Sequence, residues 1–296
     1  MTWNLTDIPN LTGKVAIVTG GNIGLGFEST YQLAKNGAHV IIACRSTEKG
    51  EAAIAKIKTQ LPQASLQTIP LDLISAKSIE DFATTFTNQH DRLGILLNNA
   101  GVVNLEHLTR TPEGHEMHMA TNHFGHFALT GLLYPTILKT ENARVVTVSS
   151  GAAKWGEIQF DDLDWTTRPY SRVKSYGDSK LANLLFMIEL QKHFENKGVS
   201  AISLSAHPGL TGTERQQTIG IGGKLSKWLA SPVKSGVRPQ LFAATSPDAQ
   251  ANDYYGPKFG IKGPPKNSPK FIAQLDRNLA QQLWQTTEQI TGIKYE

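Results

Sequence analysis

Tyr176-Gly-Asp-Ser-Lys180 places a phenol and an ammonium four residues apart in a stretch that reads as helix. At that spacing both side chains stack on one helical face. An isolated tyrosine, with a pKa of about 10, takes no part in proton transfer near neutrality. A neighbouring ammonium favours the phenolate, so the pair could supply an acid and a base usable near neutral pH. Tyrosine and lysine also meet at this spacing on many solvated helices, so the chemistry depends on what the rest of the chain brings beside them.

The elements that would position the pair alternate regularly. Apolar, β-branched runs at 15–18, 39–43, 66–71, 95–97, 144–148 and 199–205 read as strands, nearly continuous in apolar character as befits burial on both faces. Between them, 25–36, 47–60, 75–90, 114–138 and 171–197 are long enough for crossover helices, and 268–290 reads as a closing helix. This pattern predicts an α/β fold, a doubly wound parallel sheet of Rossmann type in one domain spanning 1–296. Ligands of such sheets bind beyond the carboxyl ends of the strands. After Gly209 the pattern weakens into Gly220-Ile-Gly-Gly223, so 209–231 is expected to be a substrate flap. Ser231-Pro232 then reads as an N-cap and first helical position.

Composition excludes several classes. The 296 residues are 40% hydrophobic, and no Pro/Ser-rich linker or repeat divides them. The net charge of +4 comes from basic residues scattered among acids, so nucleic acid is not an expected partner. One cysteine, Cys44, excludes an intrachain disulfide and fits a reducing compartment. The N-terminus lacks the basic start and long apolar run of a signal peptide, and no stretch approaches the roughly 18 apolar residues of a membrane span. A cytoplasmic protein with no integral membrane segment is expected.

Directly after the first strand stands Thr19-Gly20-Gly21-Asn22-Ile23-Gly24-Leu25-Gly26, with a helix to follow. Glycines there allow a tight turn and a close approach of backbone to a pyrophosphate, which the helix N-terminus stabilises. The second strand ends in Cys44-Arg45-Ser46, where an NAD site usually carries an acid for the ribose 2′-hydroxyl. Arg45, helped by Ser46 and Lys49, can pair with a 2′-phosphate instead, which favours NADP(H) as cofactor. The T-G-x-x-x-G-x-G spacing resembles the glycine motif of the short-chain dehydrogenase/reductase family, and the resemblance extends from Gly13 to about Tyr255. Ala43-Cys-Arg-Ser46, Asn122-His-Phe-Gly-His126 and Tyr176-Gly-Asp-Ser-Lys180-Leu-Ala-Asn183 make it most similar to the retinol-dehydrogenase-like and protochlorophyllide-reductase-like branch.

The resemblance implies a cofactor site of Gly20, Asn22, Ile23, Gly24 and Gly26, with Asp72 and Leu73 near the adenine and Asn99, Ala100 and Gly101 at the fourth strand. Pro208, Gly209, Leu210 and Thr213 would flank the nicotinamide, and Tyr176 and Lys180 would hold its ribose. It implies a catalytic set of Asn122, Ser150, Tyr176 and Lys180. In that set Ser150, in preference to Ser149, bonds the substrate oxygen, and the Asn122 backbone supports a water leading to Lys180. The expected activity is interconversion of a carbonyl and an alcohol on an apolar small molecule, with Tyr176 as general acid or base. The alternatives are a C=C reductase of the protochlorophyllide type and a non-catalytic NADP(H) sensor. Cys44 at the cofactor end argues against the first, and the intact Tyr176–Lys180 pair against the second. Relatives pair through the helices carrying Asn122 and Tyr176, so a homodimer or homotetramer is implied.

His107, His115, His118, His123 and His126 crowd one segment. Along a helix rising about 1.5 Å per residue, His115 and His126 stand too far apart to share one ion. No metal is expected there, and the roles assigned are packing and hydrogen bonding around Asn122. Substrate choice is expected in the loop 151–172 and the flap 209–231, where Trp155, Phe160, Trp165 and Trp228 suggest an apolar pocket.

Overall fold

The computed structural model describes residues 3–209 and 232–296. Most of the expected flap, with Leu210, Thr213, Trp228 and Ser231, lies outside the described residues. The strands are β1 (Val15–Thr19), β2 (His39–Cys44), β3 (Leu66–Pro70), β4 (Ile95–Asn98), β5 (Arg144–Val148), β6 (Ile202–Ala206), β7 (Tyr254–Pro257) and β8 (Pro265–Asn267). The α-helices are α1 (Gly24–Lys35), α2 (Thr47–Lys58), α3 (Ala76–Gln89), α4 (Met117–Met119), α5 (Gly125–Leu138), α6 (Arg172–Asn196), α7 (Val233–Gly236), α8 (Arg238–Thr245), α9 (Pro269–Ala273) and α10 (Arg277–Thr291).

The sheet runs β3-β2-β1-β4-β5-β6-β7-β8, parallel up to β7, with β8 antiparallel at the edge. Continuous apolar strands are explained by cores on both faces. Ile17, Ile41, Leu96 and Val145 join Phe82, Phe86, Phe127, Phe186 and Phe194 on one side. Their strand neighbours Ala16, Val18, Val40, Ile95, Leu97 and Val146 join Leu33 and Leu241 on the other. The strand order reverses between β1 and β4, opening a crevice at the carboxyl edge where ligands of such sheets bind.

Four sequence expectations change. The last strand of the expected set begins at Ile202 instead of 199, because Gly198 takes φ +65° and Val199 N–H closes the end of α6 on the Phe194 carbonyl. The closing helix is broken in two, since Asp276 caps a new helix by accepting the Asn278 N–H at 2.8 Å. The expected helix 114–138 starts later, at Met117, and passes through a π-helical turn, Ala120–Phe124, before α5. Pro232 caps α7 from outside instead of opening it. The C-terminal segment holds α5 and α6 together: Trp284 stacks on Phe186, and the Tyr295 hydroxyl donates to the Phe127 carbonyl at 2.7 Å.

The first residue of α5 also fixes how the π turn meets β3's outgoing loop. A Cβ on Gly125 would lie 2.2 Å from the Leu73 carbonyl oxygen. Gly125→Ala must therefore push the helix off that loop, and urea unfolding is expected to show a loss of about 1–3 kcal/mol. An unchanged midpoint would show that the contact is compliant.

Candidate active site

All parallel strands deliver their following residues to one edge, and the candidate residues gather there. Gly20 and Gly24 hold positive φ (+65° and +59°), so the turn out of β1 requires glycine. Gly26 has no room for a side chain: its Cβ would lie 2.1 Å from the Gly20 carbonyl oxygen. The first turn of α1 thus lies directly on the loop. Ile23 at its N-cap offers no capping side chain, and no acid stands in the first turn. Such a helix start suits a phosphate. Arg45 is exposed just beyond β2 with no acid beside it at the strand end, while Ser46 is engaged locally, accepting the Lys49 N–H and donating to Glu48. Asp72 accepts the Ile74 N–H, and Leu73 is buried.

Thr19 joins this floor to the catalytic helix. Its hydroxyl oxygen accepts the N–H groups of Asn99 (2.8 Å) and Ala100 (2.9 Å), and its carbonyl accepts the Asn99 side-chain amide. The same hydroxyl lies 2.9 Å from His126 Nε2, and His126 Nδ1 lies 3.0 Å from the Asn122 carbonyl oxygen. A carbonyl only accepts, so Nδ1 carries the proton and Nε2 accepts from Thr19. Burial, with Lys180 adding repulsion, holds His126 near pKa 4 and therefore neutral. The Asn122 side chain makes a second clamp: Oδ1 accepts the Val102 N–H, and the amide donates to the Val102 carbonyl and the Ser179 hydroxyl. Gly101 completes the contact, since a Cβ there would stand 2.7 Å from Asn122 Oδ1 and 3.7 Å from Lys180 Nζ.

The two serines that close β5 are separated by orientation. Ser149 is buried and donates to the Lys180 carbonyl at 2.7 Å. Ser150 caps the 3₁₀ helix Gly151–Trp155 and hydrogen-bonds with Tyr176. Its own carbonyl accepts the Tyr254 hydroxyl from β7 at 3.0 Å. Lys180 is only 4% exposed; its Nζ donates to the Val148 carbonyl at 3.0 Å and stands 5.6 Å from the centre of the Tyr176 ring. Burial lowers the ammonium to about 8. Burial also raises the Tyr176 phenol, more than the Ser150 hydrogen bond lowers it. The expected depression of Tyr176 by Lys180 is therefore not the dominant effect in this structure: desolvation wins.

Glu116 and His118 are a contribution that sequence reading missed. Both are fully buried, His118 Nδ1 stands 3.0 Å from a Glu116 carboxylate oxygen and 3.0 Å from the Ser175 hydroxyl, and the imidazole meets the Tyr176 ring edge-to-face at 5.7 Å. They brace the phenol from behind. The remaining histidines separate: His115 contacts Asp164, His123 contacts Thr287, and His107 is exposed. Among the described residues no group of three His, Cys, Asp or Glu side chains could hold a metal. Beyond β6, Pro208 leads to Gly209 at φ +69°, where a Cβ would meet the Ile261 carbonyl at 2.3 Å.

These buried imidazoles set an acid limit on stability. His123 is lowered to about 3, and His126 and His207 to about 4, by burial in each case. Below the ordinary value of 6.5 the unfolded chain takes up protons that the folded chain refuses. The unfolding free energy is thus expected to fall as pH drops from 6.5 towards 4. His126→Gln should remove roughly 1.4 kcal/mol per pH unit of that slope. Denaturant titrations at a series of pH values check this; an identical slope in parent and variant would show that His126 is charged in the folded protein.

Comparisons place this arrangement among known proteins. The family model described as short chain dehydrogenase matches residues 14–222. Human retinol dehydrogenase 13 is 36% identical over 294 residues, covering 96% of this chain and 86% of that protein. Mouse retinol dehydrogenase 12 is 43% identical over 204 residues, covering 69% of this chain and 63% of that protein. The structure of an uncharacterized protein from Mycobacterium Paratuberculosis superposes with a TM-score of 0.82 at 34% identity, over 100% of both chains. A short chain dehydrogenase from Shigella flexneri, complexed with NADP, shares the fold at a TM-score of 0.68 and 20% identity, covering 84% of this chain and 99% of that one. From its glycine turn to the end of β6 and beyond, this chain belongs to the short-chain dehydrogenase/reductase family of oxidoreductases.

Proposed function

We propose that the protein is an NADP(H)-dependent oxidoreductase that interconverts a carbonyl and an alcohol on an apolar small molecule, with Tyr176 as general acid and base. The observation that carries this reading is the convergence of Ser150, Tyr176 and a buried Lys180 at the carboxyl edge, beside a glycine turn whose positions demand positive φ or, at Gly26, leave no room for a side chain. The cradle fits a dinucleotide: Gly20, Asn22, Ile23, Gly24 and Gly26 would hold the pyrophosphate, and Asp72, Leu73, Asn99, Ala100 and Gly101 the adenosine side and the floor. Arg45 favours a 2′-phosphate. Pro208 and Gly209 would border the nicotinamide. Retinol, the alcohol in the names of the relatives, is apolar, which supports the substrate class.

When bound, the cofactor supplies or accepts the hydride. The chain's own groups handle charge and proton. As negative charge grows on the substrate oxygen, the Ser150 hydroxyl donates to it and Tyr176 delivers its proton. Lys180, anchored on the Val148 carbonyl, then offsets the phenolate charge. The Asn122 carbonyl, fixed by His126, would accept a hydrogen bond from a water that returns the proton through Lys180. With Tyr176 raised by burial, the phenol is protonated at neutral pH and ready as an acid. Carbonyl reduction should therefore proceed at neutrality, while alcohol oxidation, which needs the phenolate, rises on the alkaline side.

Two measurements test this. Tyr176→Phe is expected to lower NADPH-dependent reduction by about 10²–10⁴-fold while NADPH binding stays within a few-fold; retained turnover would reject Tyr176 as the acid. Arg45→Asp is expected to lower the NADPH/NADH preference roughly ten- to a hundredfold, the worth of a charge-assisted contact. A parent enzyme that binds both cofactors equally would remove the Arg45 argument.

A further inference from the structure

Among the described residues the exposed large apolar side chains are Ile23, Trp155, Val173, Phe259 and Ile261. Topology puts all of them on one edge of the molecule. Ile23 follows β1, Trp155 follows β5, Val173 opens the helix that runs back from that edge, and Phe259 and Ile261 follow β7. It is the edge that carries Ser150 and Tyr176.

The β7–β8 turn carries the most exposed side chain of this apolar rim. Phe259 is 70% exposed, in Lys258-Phe259-Gly260-Ile261-Lys262. The turn is ordered by its own backbone: Lys258 N–H donates to the Pro264 carbonyl, Phe259 N–H to Lys262 and Gly260 N–H to Pro257. Its side chains are thus presented by a preformed hairpin, so little ordering entropy opposes their contact with a partner. The Ile261 carbonyl lies against Gly209, which ties the turn to the end of β6. From Tyr254 to Leu275 the chain carries Lys258, Lys262, Lys266 and Lys270 and no acidic residue, the acids Asp253 and Asp276 standing just outside.

We infer that this edge docks on an anionic lipid surface, with Phe259 and Ile261 entering the headgroup layer and Lys258 and Lys262 pairing with lipid phosphates and carboxylates. A bilayer satisfies apolar tip and cationic flank together: it takes apolar side chains into its boundary and attracts lysines by its surface potential. No helix among the described residues is long and apolar enough to cross a membrane; the contact inferred is a peripheral one made by this turn. Its purpose rests on the proposed function: an apolar carbonyl or alcohol collects in the bilayer, and docking by this edge turns the catalytic groups towards that phase.

The test is flotation of the full-length protein with vesicles of phosphatidylcholine alone or with phosphatidylserine added. Binding is expected on the phosphatidylserine vesicles and loss of it at high salt, which screens the lysines. Phe259→Ser and the double variant Lys258→Gln/Lys262→Gln should each lower the bound fraction roughly tenfold. Both variants should reduce a water-soluble aldehyde as fast as the parent. Failure of the parent to float with phosphatidylserine overturns the inference, as does binding that ignores lipid charge or survives Phe259→Ser. A change of solution mass in Phe259→Ser, showing that the turn joins two copies of this chain, overturns it too. Absence of any carbonyl turnover in the parent would count against the proposed function alone, because flotation is read without catalysis.

Discussion

The site depends on one costly arrangement: the Lys180 ammonium is buried and donates to the Val148 carbonyl at the very end of β5. Removing an ammonium from water is expensive, and here it lowers the group to about 8. The surroundings are organised to tolerate it. Asn183 donates to the same Val148 carbonyl, Ser149 ties its hydroxyl to the Lys180 carbonyl, and His126, which the Lys180 charge reaches, is kept neutral. β5 and α6 are thereby locked at the point where Ser150 and Tyr176 emerge. A lysine close to its own titration point is also the group whose charge can respond to a phenolate forming beside it.

From that anchor the network reaches the cofactor floor without a break. Asn122 is held by Val102 and Ser179, its carbonyl by His126, and His126 by Thr19, which in turn receives the backbone of Asn99 and Ala100. Because each donor and acceptor is assigned, a shift of the floor has no slack to absorb it before the catalytic helix moves. The π turn makes this geometry available, since it turns the Asn122 carbonyl towards a side chain one turn on.

Strands β1, β2, β4 and β5 were legible because burial on both faces leaves a continuous apolar signal, which β3 at the sheet edge and β6 with its buried Ser203 and Ser205 carry only in part, and the glycine turn because its positions demand positive φ or bare backbone. The two short strands β7 and β8 were not. β7 contains Gly256 and Pro257, β8 is Pro-Lys-Asn, and neither has the apolar alternation that marks a strand, although Tyr254 of β7 fixes Ser150. The Glu116–His118 brace was hidden for a different reason: it meets Tyr176 only through the folding of α4 against α6, and among five crowded histidines nothing in the sequence marks which one faces the phenol. The raised Tyr176 phenol was also out of reach, because the sequence shows the nearby ammonium but not the desolvation that outweighs it.

The central claim is that a desolvated lysine governs the proton chemistry of this edge. Lysine Nζ titration by heteronuclear NMR, with Lys180→Arg to assign the signal, addresses it directly. Lys180 is expected to lose its proton near pH 8, about two units below an ordinary side chain. A Lys180 signal that titrates at the ordinary lysine value of about 10.4 would contradict it.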